Sequence, residues 1–243
     1  MIHETAIIED GVVLGRDVSV GAFSIVRKGV ELGDNSVVEN HCDIGVPSGL
    51  AKSDKLVFGA DTHIRSHSVF YIGSRFGAKL VTGHRVTVRE NITAGNGFQI
   101  GTLSDLQGDT EIGEYVRFHS NVHIGKTSKI GDCSWVFPYV VFTNDPHPPS
   151  TILNGPTVGK RAIVATGAIL LPGVTVGDDA MIGAGSIVRL DVPDRQICVG
   201  NPCKLIGDVS RIKHSETGEP AYPWYRHFRR GYPEGLLPAE DEI

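Results

Sequence analysis

One short stretch of the chain combines a carboxamide, a carboxylate and an imidazole. In FTNDPHPPS, residues 142–150, Asn144, Asp145 and His147 stand among prolines. Such a set suits group transfer to a nucleophile. A hydroxyl loses its proton as it attacks, so it needs a base such as His147. An amine already has a lone pair in its neutral form and needs orientation, which Asp145 and Asn144 can give. The alternative is an ordinary polar turn with a solvated histidine. Three more candidates stand in YVRFHSNVHIGK, residues 115–126: His119, Asn121 and His123, expected to bind substrate. Their alternative is a stack of polar residues on an outer surface.

A second set is small or basic. GKRAIVATGAILLPGVTVG, residues 159–177, holds Ala165, Thr166 and Gly167, where a slender ligand arm could lie against the backbone. Lys160, Arg161, Arg189 and Lys204 are candidates for phosphate groups. Each alone also fits a solvated surface charge.

These groups need a rigid support, and the sequence repeats every six residues. Ile2, Ile8, Leu14, Val20, Val26, Leu32, Val38 and Ile44 are all aliphatic, often followed by Gly. A period of six fits neither a helix nor a long strand. It fits strands of two or three residues ended by turns, three to a triangular coil, with the aliphatic residue pointing inward. The pattern resumes at Phe58, Ile64 and Phe70, blurs across 73–85, and returns from Val88 to Phe142. A last run goes from Val158 to Val188. Loops are expected near 45–57, with two residues beyond whole hexads, and at 143–157, with one hexad plus ten. Local bulges or loops are also expected within 73–85 and 101–108.

The hexads resemble those of the hexapeptide-repeat proteins, over residues 1–206. The resemblance implies an all-β fold, a left-handed parallel β-helix of roughly ten coils, with an irregular C-terminal extension at 207–243. Family members usually form trimers with active sites between prisms, so a homotrimer is expected. Residues 182–207, IGAGSIVRLDVPDRQICVGNPCKLIG, look like the terminal segment of CoA-dependent acyltransferases of this class. By that resemblance Ala165, Thr166, Gly167, Ala184, Arg189 and Lys204 would bind acetyl-CoA. The FTND loop is similar to that of nucleotide-sugar N-acetyltransferases, which places Asn144 and Asp145 in the active site. His147–Pro148 is also similar to the His-Pro of sugar O-acetyltransferases, whose His is a base. The expected function is therefore acetyl-CoA-dependent N-acetylation of a nucleotide-linked amino sugar, with O-acetylation as the alternative. The γ-class carbonic anhydrases share this fold and bind zinc by three histidines. His84, His119 and His123 have a loosely similar spacing, but their hexad phases differ, and no metal is expected.

Bulk properties agree. The chain has 243 residues, a net charge of −5 and 30 glycines. No global basic field favours nucleic acid or anionic membrane. No segment has the length or apolarity of a membrane span, so a cytoplasmic protein acting on small molecules is expected. Cys42, Cys133, Cys198 and Cys203 lack CxxC spacing and are expected as incidental reduced thiols. The aromatic and basic run 222–232 is expected to pack over the lower end of the prism or on a neighbouring subunit, with a ligand phosphate or base as its alternative role.

Overall fold

A computed structural model describes residues 1–239. Strands of two to five residues stack into three sheets of ten, nine and eleven strands. Face 1 runs from Ile7–Ile8 to Ile187–Val188, and face 2 from Val13–Leu14 to Thr175–Val176. Face 3 runs from Ser19–Val20 to Met181–Ile182 and ends with Gln196–Val199 and Lys204–Asp208. The chain visits the faces in that order, giving a left-handed parallel β-helix. Consecutive coils pair in parallel, so residues 18 apart are neighbours, as Asp105 and His123 are on face 1.

The second residue of nearly every two-residue strand points inward. Val26, Ile44, Val88, Leu106, Ile124 and Phe142 are buried along face 1. Each such burial contributes on the order of 1.5–3 kcal/mol, and stacking makes the column continuous. At the edge between faces 2 and 3 the glycines have a second role. A Cβ on Gly131 would stand 2.7 Å from the carbonyl carbon of Gly159 and from the amide of Lys160. The side chains one coil on cap the corner: Asp34 accepts from the Arg16 amide at 2.8 Å, and Asp132 from the Glu114 amide at 2.9 Å.

The expected irregularities at 73–85 and 101–108 are absent. Phe76 and Thr82 continue the inward column, and Thr82 is fully buried with its hydroxyl accepting from the Arg65 amide at 2.8 Å. The polar side chain had hidden an inward position. Asp105–Leu106 pairs in unbroken register on both sides. The first loop is also larger than the hexad count implied. Ile44 and Phe58 lie on consecutive faces, so fourteen positions take the place of six. The second loop, between Val141–Phe142 and Thr157–Val158, carries the ten extra residues as counted.

Among the described residues, the aromatic part of the extension packs on face 3 and not over the lower end. Lys204–Asp208 turns back antiparallel on Gln196–Val199, so the boundary expected at 206 falls inside a strand. Cys198 and Cys203 form a disulfide there, with Cα atoms 5.6 Å apart, which corrects the expectation of four free thiols. The hairpin brings together two cysteines whose spacing carries no motif. The chain then climbs face 3, where Trp224, Tyr225 and Leu237 bury against Cys133 and Ile163. Trp224 donates its indole N–H to the Arg161 carbonyl at 2.9 Å. No helix among the described residues is long and apolar enough to cross a membrane. Glu240, Asp241 and Glu242 lie outside the described residues.

Candidate active site

Both long loops leave the prism at one edge, between faces 1 and 2. The first, 47–55, is laid along that edge. The Lys52 amide donates to Asn91 Oδ1 at 2.8 Å, and its Nζ donates to Asp109 Oδ1 at 2.7 Å. Lys126 continues the line, 3.6 Å from Asp109 and 3.4 Å from the fully buried Glu90, which Arg89 also pairs. Thr127 Oγ1 then accepts from the amide of Gly155 in the second loop at 2.7 Å. A buried carboxylate needs such partners, because burial disfavours its charge. Burial is the largest influence on Glu90 and pushes its pKa up, but the hydrogen bonds and the Arg89 charge hold it below the ordinary range.

Asn144 lies just past Val141–Phe142, where the second loop begins. Its side chain packs over Gly125: a Cβ there would meet the Cβ and Cγ of Asn144 at 3.2 Å. Asp145 is occupied by the loop itself. Its Oδ1 accepts from the His147 amide at 2.9 Å and the Ser150 hydroxyl at 2.7 Å, and its Oδ2 from the Ser150 amide at 2.8 Å. These bonds, led by that of the Ser150 hydroxyl, depress its pKa. The His147 side chain is exposed and makes no hydrogen bond among the described residues.

His119, Asn121 and His123 do not converge. His119 lies on face 3, stacked on Phe137 at 4.6 Å. Asn121 turns the corner with φ +59. His123 stands outward on face 1, with Nδ1 3.0 Å from Asp105 Oδ2. Gln107 donates to the same oxygen at 2.5 Å. Burial pushes the Asp105 carboxyl up, but the bonds from His123 and Gln107 outweigh it and leave the pKa low. Arg89 stacks over Tyr71 nearby, at 4.9 Å. An anionic Asp105 holds Nδ1 protonated, which leaves the Nε2 lone pair for a proton. The sequence reading missed Asp105, Gln107, Arg89 and Lys126. A signal existed: Asp105 precedes His123 by 18 residues, one full coil.

His84, by contrast, bonds Ser66 at 2.9 Å and lies with neither of the other two histidines. Among the described residues no three side chains are grouped to hold a metal ion.

The small residues lie along the edge between faces 3 and 1. Ala165, Thr166 and Gly167 form one corner and Ala184 the next below, with open space around Gly167 and Gly185. Lys204 sits under that edge, opposite Val199. Arg189 does not join them, because it follows Ile187–Val188 at the edge of the loops. Lys160 and Arg161 lie on the third edge and are paired with Asp132 at 2.9 Å and Asp179 at 2.7 Å.

A sequence profile for the hexapeptide repeat of succinyl-transferase matches residues 6–42 and 157–189, two of the regular runs. Over those residues the chain carries the hexapeptide repeat. Among its relatives is the acyl-[acyl-carrier-protein]–UDP-N-acetylglucosamine O-acyltransferase of Saccharophagus degradans. It is 30% identical over 131 residues, 54% of this chain and 48% of the relative. The enzyme of the same description from Brucella anthropi is 31% identical over 127 residues, 51% of this chain and 42% of its own. The chain thus spans about half the length of the curated relatives it matches. The solved structure of Arabidopsis UDP-N-acetylglucosamine acyltransferase superposes with a TM-score of 0.59 at 18% identity. That match covers 86% of this chain and 74% of the plant protein, and it shows a shared fold.

Proposed function

We propose that this chain is an acyltransferase that moves an acyl group from a thioester to a nucleotide-linked sugar, with an amine as the favoured acceptor. The observation that carries the reading is the position of the His123–Asp105 pair. His123 is the ladder partner of Val141, on the strand that launches the Asn144 loop. A base and the loop are thus neighbours on one face.

In this reading the acceptor nitrogen attacks the thioester carbonyl, forming a C–N bond as the C–S bond breaks. His123 Nε2 takes the proton from nitrogen and returns it to the departing thiolate, which leaves as the thiol. Asn144 positions the acceptor, and Asp145 holds the loop that carries Asn144. The open small-residue edge at Ala165, Thr166, Gly167 and Ala184 suits a pantetheine arm, with Lys204 for a phosphate. That edge and the loop lie on opposite sides of face 1, so a donor on one copy would meet the loop of another, in a homotrimer. A pantetheine arm is common to CoA and to acyl carrier protein, and the relatives named above carry the latter in their description.

O-acylation is the second reading. It is favoured by the same His–Asp pair, which suits deprotonating a hydroxyl, and by the description of those relatives. One screen decides among these. Acetyl-CoA and an acyl carrier protein thioester are offered with UDP-, dTDP- and GDP-amino sugars and with UDP-N-acetylglucosamine, following thiol release. Release with an amino sugar and acetyl-CoA is expected. Release only with a hydroxyl acceptor would replace the amine reading, and none with any pair would remove acyl transfer.

A further inference from the structure

The C-terminal extension leaves a cleft of about 200 Å³ against face 3, walled by Trp135, Phe137, Tyr222, Trp224, His227 and Phe228. Pockets for whole ligands measure roughly 300–1,000 Å³, so this space suits one ring. The Trp135 and Phe137 planes are 24° apart, and His119 stacks on Phe137 within 17°. Trp135 lines both the cleft and the groove beside it.

That neighbouring groove also begins at Trp135 and carries the polar side chains of Gln99, Arg117, His119 and Ser120. Beyond Arg117 a third depression holds Arg230 and Gly231. The Arg117 guanidinium stacks 4.8 Å from the Trp135 centroid and 4.6 Å from that of Tyr232, and it donates to the Arg230 carbonyl at 3.2 Å. Gly231, with φ +83, leaves the space it fills: a Cβ there would stand 2.8 Å from Arg117 Nη2. Among the described residues no carboxylate pairs with Arg117. Stacking on rings fixes the cation without neutralising it. The extension adds the exposed Arg230 to a chain whose net charge is −5, so the positive spot is local. An aromatic slot for one ring, continuous with two arginines, matches a base that carries phosphate.

We propose that the cleft between the extension and face 3 is a nucleotide subsite, with the base among Trp135, Trp224 and Phe228 and the phosphates at Arg117 and Arg230. The acceptor nucleotide and the adenosine end of CoA share this chemistry. The choice of those two ligands rests on the acyl-transfer reading, whereas the subsite itself rests on the geometry.

The chain has two tryptophans, and both wall the cleft. Its intrinsic fluorescence therefore reports on occupancy. Titration uses UDP, dTDP, adenosine 3′,5′-bisphosphate, uridine and inorganic pyrophosphate. Base-bearing phosphates are expected to quench saturably and pyrophosphate not to. Phe228→Ala is expected to weaken the quenching ligand roughly tenfold. The surface change Arg230→Gln is expected to weaken UDP or dTDP, or the bisphosphate, while leaving uridine unchanged. Tighter binding of UDP or dTDP assigns the subsite to the acceptor, and tighter binding of the bisphosphate assigns it to the donor. Unchanged emission with all of them overturns the proposal. So does emission that follows protein concentration instead of nucleotide, which gives the cleft to a second copy. Turnover with an unchanged KM in both variants sinks the subsite and spares acyl transfer; quenching without turnover on any sugar does the reverse.

Discussion

Asp105 and His123 face each other across adjacent coils, with Asp105 Oδ2 3.0 Å from His123 Nδ1. Neither side chain is on a long loop; both stand on the rigid wall of the prism. If this pair supplies the base, His123→Ala lowers kcat by roughly 10²–10⁴ with a hydroxyl acceptor and less with an amine. Asp105→Asn should lose much of the same and shift the acidic limb of the kcat–pH profile. An unchanged profile in both variants would remove the pair from the chemistry.

Asn144 and Asp145 are neighbours with different work. Asn144→Ala should cost turnover without altering loop order, since its side chain only overlies Gly125. Asp145→Ala removes three hydrogen bonds within the loop. It should cost turnover too, and also speed proteolysis between 146 and 153. His147→Ala should cost little with an amine acceptor; a hundredfold fall in kcat at constant KM would make His147 the base.

Docking of the extension should depend on pH. Burial lowers the pKa of His119, helped by the Arg117 charge, and burial beside His214 lowers that of His227. An unfolded or undocked chain therefore binds more protons than the native one below the ordinary value of about 6.5. Stability from these groups is complete above that value. It is lost as pH falls through their lower native values. Tryptophan emission should shift toward that of exposed indole as pH falls below about 6.5, and His119→Phe should reduce the shift.

The free thiols should be inert. Burial, with Asp132 nearby, pushes the Cys133 thiol up to about 12, and burial also raises Cys42. Thiolate is the reactive form, so labelling by a disulfide reagent at pH 8 should be slow in the native chain. Cys133 packs with Trp224 and Tyr225. Trp224→Ala should therefore speed its labelling more than that of Cys42, as a mass-spectrometric time course can show.

Gly131→Ala tests the close approach of coils. Its Cβ would stand 2.7 Å from backbone on the next coil, and overpacking of this kind costs about 1–3 kcal/mol. A fall in Tm of several degrees is expected, whereas Gly185→Ala has no neighbour within 4 Å and tests only its φ of +66.

The hexad column from Val20 to Val188 was legible because a two-residue strand puts one residue in and one out at every step. The exceptions are instructive. Thr82 fills an inward position by bonding the Arg65 amide, which hydropathy alone cannot register. The first loop looked like whole hexads plus two residues because the count could not say which face Phe58 belonged to. The FTND loop was legible as an interruption, and its Asp145 could not be told from a substrate ligand until Ser150 was seen to fold back on it.

The sequence alone therefore determined the prism, its apolar inward column outside 73–85 and the place of the long loops, because each depends on local periodicity. Tertiary structure decided what the outward residues meet. It paired His123 with Asp105, separated His119 and Arg189 from their expected companions, joined Cys198 to Cys203 and laid the extension on face 3. These are contacts between coils or across faces. Their partners depend on how the chain winds, and a six-residue period is the same on all three faces.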